Sequence, residues 1–140
     1  MGTALRREHL ERTVDAGGSF VVSPHTDPEL VRQARRRGLD AFPGALTPTE
    51  IVSAAHAGAT AAKLFPASTV GPDYLRAVRA PLPTVRVVAT GGVDIDSVPA
   101  WLDAGAWAVA VSGPLVRDAL RGGSLPDLAA RARRFLRAAA

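Results

Sequence analysis

Lysine occurs once in this 140-residue chain, at Lys63, inside the apolar run Ala61-Ala62-Lys63-Leu64-Phe65-Pro66-Ala67. The other 16 of its 17 basic side chains are arginine, so any lysine chemistry has a single address. A lysine within a buried strand rarely lies there without a partner or a role. Burial disfavours the ammonium, and the neutral amine it frees is a nucleophile toward carbonyls, the opening step of Schiff-base catalysis. The competing reading is an aliphatic stem laid along the strand with its head snorkelling into water at the strand end. The residues alone leave both open.

Two further segments offer chemistry. Thr90-Gly91-Gly92 follows Val85–Ala89, and Ser112-Gly113-Pro114 follows Trp107–Val111. Glycines beside a helix start expose backbone amides and permit close approach, which suits a phosphate. A Gly-Gly pair also commonly marks no more than a turn. His25 sits in a loop after a strand, whereas His9 and His56 fall in helical stretches. The histidines lack metal-ligand spacing and no cysteine assists them, so neither a metal nor another cofactor is expected. No G-x-S-x-G nucleophile elbow and no P-loop occurs. Glu8, Glu11, Glu29 and Glu50 lie in helix-forming stretches, and none is placed as a general base at a strand end.

The elements that must position these residues alternate. Short continuous apolar runs, Phe20–Val22, Ala41–Phe42, Ala61–Phe65, Val85–Ala89 and Trp107–Val111, suit strands buried on both faces of a parallel sheet. Each leads through a turn, such as Ser23-Pro24-His25 or Phe42-Pro43-Gly44, into a helical stretch. Thr47-Pro48-Thr49-Glu50 is a capping box, Asp27-Pro28 and Gly71-Pro72 repeat the cap-then-proline pattern, and Asp94 is expected to cap the helix carrying Ile95, Val98 and Leu102. Gly17, Gly38, Gly58 and Gly105 stop helices. Successive stops lie 21, 20 and 47 residues apart, a βα unit of about 20–25 residues. Five such strands, with the stub of a sixth at the start, make either an open doubly wound sheet or part of a (β/α)8 barrel, as one domain over 1–140. Leu125 to Ala140 reads as a terminal amphipathic helix.

Composition narrows the function further. With 47% hydrophobic residues the chain can build a core, and without cysteine it has no disulfides. Its longest apolar run, Ala106–Val111, is far short of a membrane span, and the N-terminus lacks a signal-peptide core, so a cytoplasmic protein without a membrane partner is expected. The formal charge of +4 invites a nucleic-acid reading. The arginines, however, cluster at 32–37 and 131–137 among apolar residues, which reads as solvated helix faces, and aromatic interleaving for base stacking is missing.

The segments Phe20-Val21-Val22-Ser23-Pro24, FPGALTPTE (42–50), AAKLFPAS (61–68) and VVATGGV (87–93), in this order, closely resemble the class I 2-keto-3-deoxy-6-phosphogluconate (KDPG) and 4-hydroxy-2-oxoglutarate (KHG) aldolases. The resemblance implies a (β/α)8 barrel, commonly a homotrimer. It implies cleavage of a small 2-keto acid, phosphorylated or not, to pyruvate and an aldehyde: glyceraldehyde 3-phosphate from the first substrate, glyoxylate from the second. By the same resemblance Lys63 is the Schiff-base lysine, Phe65 and Pro24 line the pyruvate side, and Thr3 contacts substrate. Thr90, Gly91 and Gly92 bind at the phosphate loop. The family's phosphate-binding serine falls at Gly113, with Ser112 one position earlier, which leaves backbone amides to hold the anion there.

Met1 falls where the family's third strand is ending. The first two strands, most of the third, the proton-shuttle glutamate and a substrate-contacting arginine have no counterpart in this chain. The expectation is therefore a partial barrel of about five βα units whose reading frame continues upstream. Two other classes stay open: a non-catalytic, phosphate-binding or structural remnant, and a barrel of the thiamin-phosphate-synthase type, which shares the late glycine loops but has no use for Lys63.

Overall fold

The computed structural model describes residues 1–140 as helices alternating with short strands. In chain order these are α1 (Arg7–Asp15), β1 (Phe20–Val22), α2 (Pro28–Arg36), β2 (Asp40–Phe42), β3 (Gly44–Ala45), α3 (Pro48–His56), β4 (Ala62–Leu64), α4 (Gly71–Arg79), β5 (Val87–Thr90), α5 (Val98–Asp103), β6 (Ala108–Ala110), α6 (Gly113–Val116) and α7 (Leu125–Ala138). Every strand pair is parallel. β1 pairs with β2, and β3, β4, β5 and β6 follow one another in a second ladder.

The strand expected to end at Phe42 does not end there. Pro43 has no N–H and interrupts the ladder, yet its carbonyl accepts from Lys63 N at 2.8 Å, and the chain stays extended through β3. β2 and β3 are thus one strand with a proline joint, pairing with β1 below the joint and β4 above it. The stub of a sixth strand is present. The Met1 ammonium donates to Phe20 O at 2.7 Å, Val22 N donates to Met1 O at 2.9 Å, and Ala4 N donates to Val22 O at 2.8 Å. The result is a partial barrel, open between β6 and residues 1–4.

Helices cover only the outer face of this curved sheet. Leu10, Leu30, Val31 and Ala34 from α1 and α2 bury Val21 and Ala41. Ile51, Ala54 and Val78 from α3 and α4 pack with Ala62. Leu75 of α4 and Val98 and Trp101 of α5 close over Leu64, Val87 and Ala89. Alternation then sends the remaining strand residues inward.

Helix ends follow the expected chemistry with two exceptions. Asp27 Oδ1 accepts from Glu29 N and Leu30 N, and Thr47 and Glu50 form the reciprocal capping box. The four glycine stops all adopt positive φ. Gly71, also at positive φ, is the first residue of α4 and no side chain caps that helix. Asp94 does not cap α5 directly: its Oδ1 accepts from Ser97 N at 2.9 Å while Ser97 Oγ accepts from Asp94 N at 3.1 Å, a closed turn that delays the helix to Val98. The arginines of α2 are solvated as expected, with Arg32 and Arg36 on Glu29 and Arg35 on Asp40. Arg131 of the second cluster is not: it is largely covered and donates to Leu115 O and Val116 O, tying α7 to α6. No helix is long and apolar enough to cross a membrane.

Leu75 is fully buried between α4 and the sheet, so Leu75→Ala is expected to lower unfolding free energy by about 2–5 kcal/mol. Leu120→Ala, at an 86% exposed position, should stay within about 0.5 kcal/mol, both read by urea denaturation.

Glu50 gives a pH signature. Backbone N–H groups of Thr47 and Leu46, together with the Thr47 hydroxyl, hold its carboxyl below the ordinary glutamate value of 4.5. A carboxylate with a lower value folded than unfolded stabilises the fold above the unfolded value and stops doing so as pH falls through the folded one. The urea midpoints of the native chain and Glu50→Gln should therefore differ most at neutral pH and converge progressively below 4.5.

Candidate active site

Lys63 occupies the middle of β4, in register with Gly44 of β3 on one side and Val88 of β5 on the other. Its neighbours Ala62 and Leu64 face the helices and are buried, so Lys63 must face inward. There it joins Phe20, Val22, Phe42, Val88 and Thr90 around an apolar concavity of about 290 Å³. Ala108, Ala110 and Trp107 complete the lining, which holds no acidic residue and no histidine. A larger groove of about 370 Å³, lined by Ala55, Thr60, Thr84 and Arg86, opens at the N-terminal ends of the strands, away from this lysine, and carries no converging functional groups.

The ammonium of Lys63 is half-buried, and burial alone pushes its pKa below the ordinary lysine value. Its nearest aromatic partner is Phe65, whose ring centroid lies 4.2 Å from Nζ. Positions 63 and 65 share a face because they are two apart along an extended chain.

The residues singled out in sequence divide into two groups. Lys63, Phe65, Thr90, Gly91 and Gly92 come together. Thr90 lines the concavity beside Lys63. Gly91, at φ +90°, packs so closely on Phe65 that a Cβ would lie 2.9 Å from ring atom Cδ2. Gly92 is equally close to Ser68, where a Cβ would sit at 2.4 Å, and Ser68 N donates to Gly91 O at 3.0 Å. The β5–α5 turn is thus seated on the β4–α4 turn. Pro24 reaches the same end of the sheet through Gly44. Thr3 is exposed at positive φ in the N-terminal stub, and Ser112 and Gly113 are exposed where α6 begins.

Gly44, read in the sequence only as part of the turn after a strand, proves to be a close packing position at this end of the sheet. A Cβ there would meet the Pro24 carbonyl carbon and oxygen at 2.3 Å. The contact is tied further by Thr26 Oγ1, which donates to Gly44 O at 2.6 Å. The signal was present: a glycine inside a strand marks a close backbone approach.

A parallel α/β partial barrel with one inward lysine at mid-strand and glycine turns at the C-terminal strand ends defines a class, that of lysine-centred barrel proteins. Residues 1–126 match the family model for KDPG and KHG aldolases, and the chain belongs to that family. It is similar to the probable 2-dehydro-3-deoxy-6-phosphogalactonate aldolase of Rhizobium meliloti (strain 1021), with 45% identity over 93 residues, 66% of this chain and 44% of the relative. It is also similar to the 2-dehydro-3-deoxy-6-phosphogalactonate aldolase of Escherichia coli (strain K12), with 36% identity over 138 residues, 98% of this chain and 66% of the relative. A solved structure described as native KDPGal superposes with a TM-score of 0.91 at 36% identity, covering 98% of this chain and 66% of that one. The chain therefore spans about half to two-thirds of the length of these relatives.

Gly44→Ala tests the β3–Pro24 contact. The added methyl has only backbone to push against, so the variant should lose about 1–3 kcal/mol, measured by urea unfolding.

Proposed function

We propose that this chain carries the Schiff-base half of a class I aldolase, cleaving a small 2-keto-3-deoxy acid to pyruvate and an aldehyde. The observation that carries this reading is the lone lysine of the chain, half-buried and facing an apolar concavity. Its neutral amine adds to the 2-keto carbon and loses water to give an iminium. A base takes the proton of the C4 hydroxyl, the C3–C4 bond breaks, and its electrons pass to the iminium nitrogen, leaving an enamine. The aldehyde departs, the enamine takes a proton at C3, and water releases pyruvate and the free amine.

The residues that line the concavity divide this work unevenly. Lys63 supplies the nucleophile and the electron sink. Thr90, also in the lining, is beside it to hydrogen-bond the substrate. Phe65, against Nζ, and Pro24 are assigned to the pyruvate side by the family resemblance. The glycine turn after β5 and the Ser112-Gly113 turn offer backbone amides to a phosphate. No acid lines the concavity, so no carboxylate of its lining serves as the base for the C4 hydroxyl. General acid–base help is worth about 10²–10⁴ in rate, so turnover by these 140 residues alone should be at least about 100-fold below that of a barrel carrying the base.

The two relatives described above are named for the galactonate-derived phosphate and others of similar identity for its gluconate epimer, which supports a phosphorylated 2-keto-3-deoxy acid of either configuration as the substrate. The working assembly is proposed to be a homo-oligomer, a trimer by family resemblance. A second reading, a non-catalytic remnant, is favoured by the same acid-free lining and by the half-exposed aromatics of the open face.

Borohydride reduction in the presence of pyruvate separates the two. The aldolase reading expects a reduced pyruvyl adduct on the peptide holding Lys63 and none in Lys63→Met. A folded sample that gives no adduct overturns it in favour of the remnant.

A further inference from the structure

The environment of the Lys63 ammonium is unusual in what it lacks. Nζ is half-buried, makes no ion pair or hydrogen bond, and has one electron-rich neighbour, the face of Phe65 at 4.2 Å. A cation within about 6 Å of a ring centroid is attracted by the negative potential of the face. The ring is not free to leave. Its Cδ2–Cε2 edge rests on Gly91, where a Cβ would stand 2.9 and 3.0 Å away, and Ser68 N to Gly91 O locks the two turns together. Gly91 at φ +90° is the residue type that this approach requires.

Building on the reading of Lys63 as the Schiff-base lysine, we propose that Phe65 is a catalytic residue whose ring face holds the positive charge on Nζ, first as ammonium and then as iminium, and that Gly91 is the positioning residue that sets the ring.

The chemistry explains the choice of an arene. The amine must be neutral to attack and cationic to accept electrons. A carboxylate beside Nζ would fix the ammonium and hold back the attack. An aromatic face attracts the cation more weakly, has no lone pair to take its proton, and cannot add to the iminium carbon. Burial favours the neutral amine while the ring favours the cation, so each state remains reachable. On this view the glycine turn acts on the lysine through Phe65 as well as on any phosphate.

The test replaces Phe65 by mono-, di- and trifluorophenylalanine, which keep the ring's shape while draining its face, and follows pyruvate-dependent borohydride trapping across pH. Where free Nζ is the neutral amine, removing a contact of about 0.5–2 kcal/mol should reduce the trapped iminium by about two- to thirty-fold, in steps with fluorine number. At lower pH, where free Nζ is ammonium and loses the same contact, the trapped fraction should stay unchanged. The acid limb of the trapping rate, set by the fraction of neutral amine, should move down in pH by about 0.4–1.5 as the ammonium loses its partner.

Gly91→Ala, which pushes the ring edge, should move the limb in the same direction. Pyruvate carries no phosphate, so a glycine turn acting only on phosphate would leave trapping unchanged. Identical profiles for phenylalanine and trifluorophenylalanine overturn the proposal even where Gly91→Ala fails to fold. An absence of adduct in the native chain would instead overturn the aldolase reading beneath it.

Discussion

A strand covered by helices on its outer face has no choice about where its alternate side chains go. Ala62 and Leu64 are committed to the helical layer, and this fixes Lys63 toward the interior regardless of its charge. Everything else about the site depends on that exchange. The parallel register brings Gly44 and Val88 to either side of the lysine, and both are too small or too apolar to neutralise it. The concavity stays apolar because its other contributors, Val22, Phe42 and Ala108, obey the same alternation on neighbouring strands. Helix packing on the outside therefore produces an isolated amine on the inside.

The second layer of organisation is backbone against backbone. At the C-terminal strand ends, successive turns rest on one another through missing Cβ atoms: Gly44 under Pro24, Gly91 against Phe65, Gly92 against Ser68. Such contacts fix the turns without the rotamer freedom that side-chain packing retains. The Phe65 ring is placed by this seating, and the ammonium rests on it.

Much of this was legible in the residues. The five apolar runs became strands, but the expectation that continuous runs are buried on both faces holds only for the helix-covered face, since the inner face opens on the concavity. The glycine stops were readable because positive φ restricts residue choice, and Lys63 stood out as the sole lysine in an apolar run. Pro43 misled because a proline after two strand residues reads as a terminus, whereas its carbonyl remains free to continue the ladder. Asp94 misled because its reciprocal turn with Ser97 takes the place of a cap, and the helix begins only at Val98. Gly44 left a local trace as a glycine within a strand, but its partner Pro24 and the Phe65–Gly91 contact depend on which turns meet in space, and no local pattern encodes that.

The two tryptophans report on separate parts of the molecule. Trp101 is 3% exposed in the layer between α5 and the sheet, whereas Trp107 is 50% exposed at the mouth of the concavity beside Arg86. One indole senses the integrity of the helical coat, and the other senses whatever comes to lie against the open interior. With only two tryptophans in the chain, replacing either one by phenylalanine leaves a single indole that reports on one face of the sheet alone.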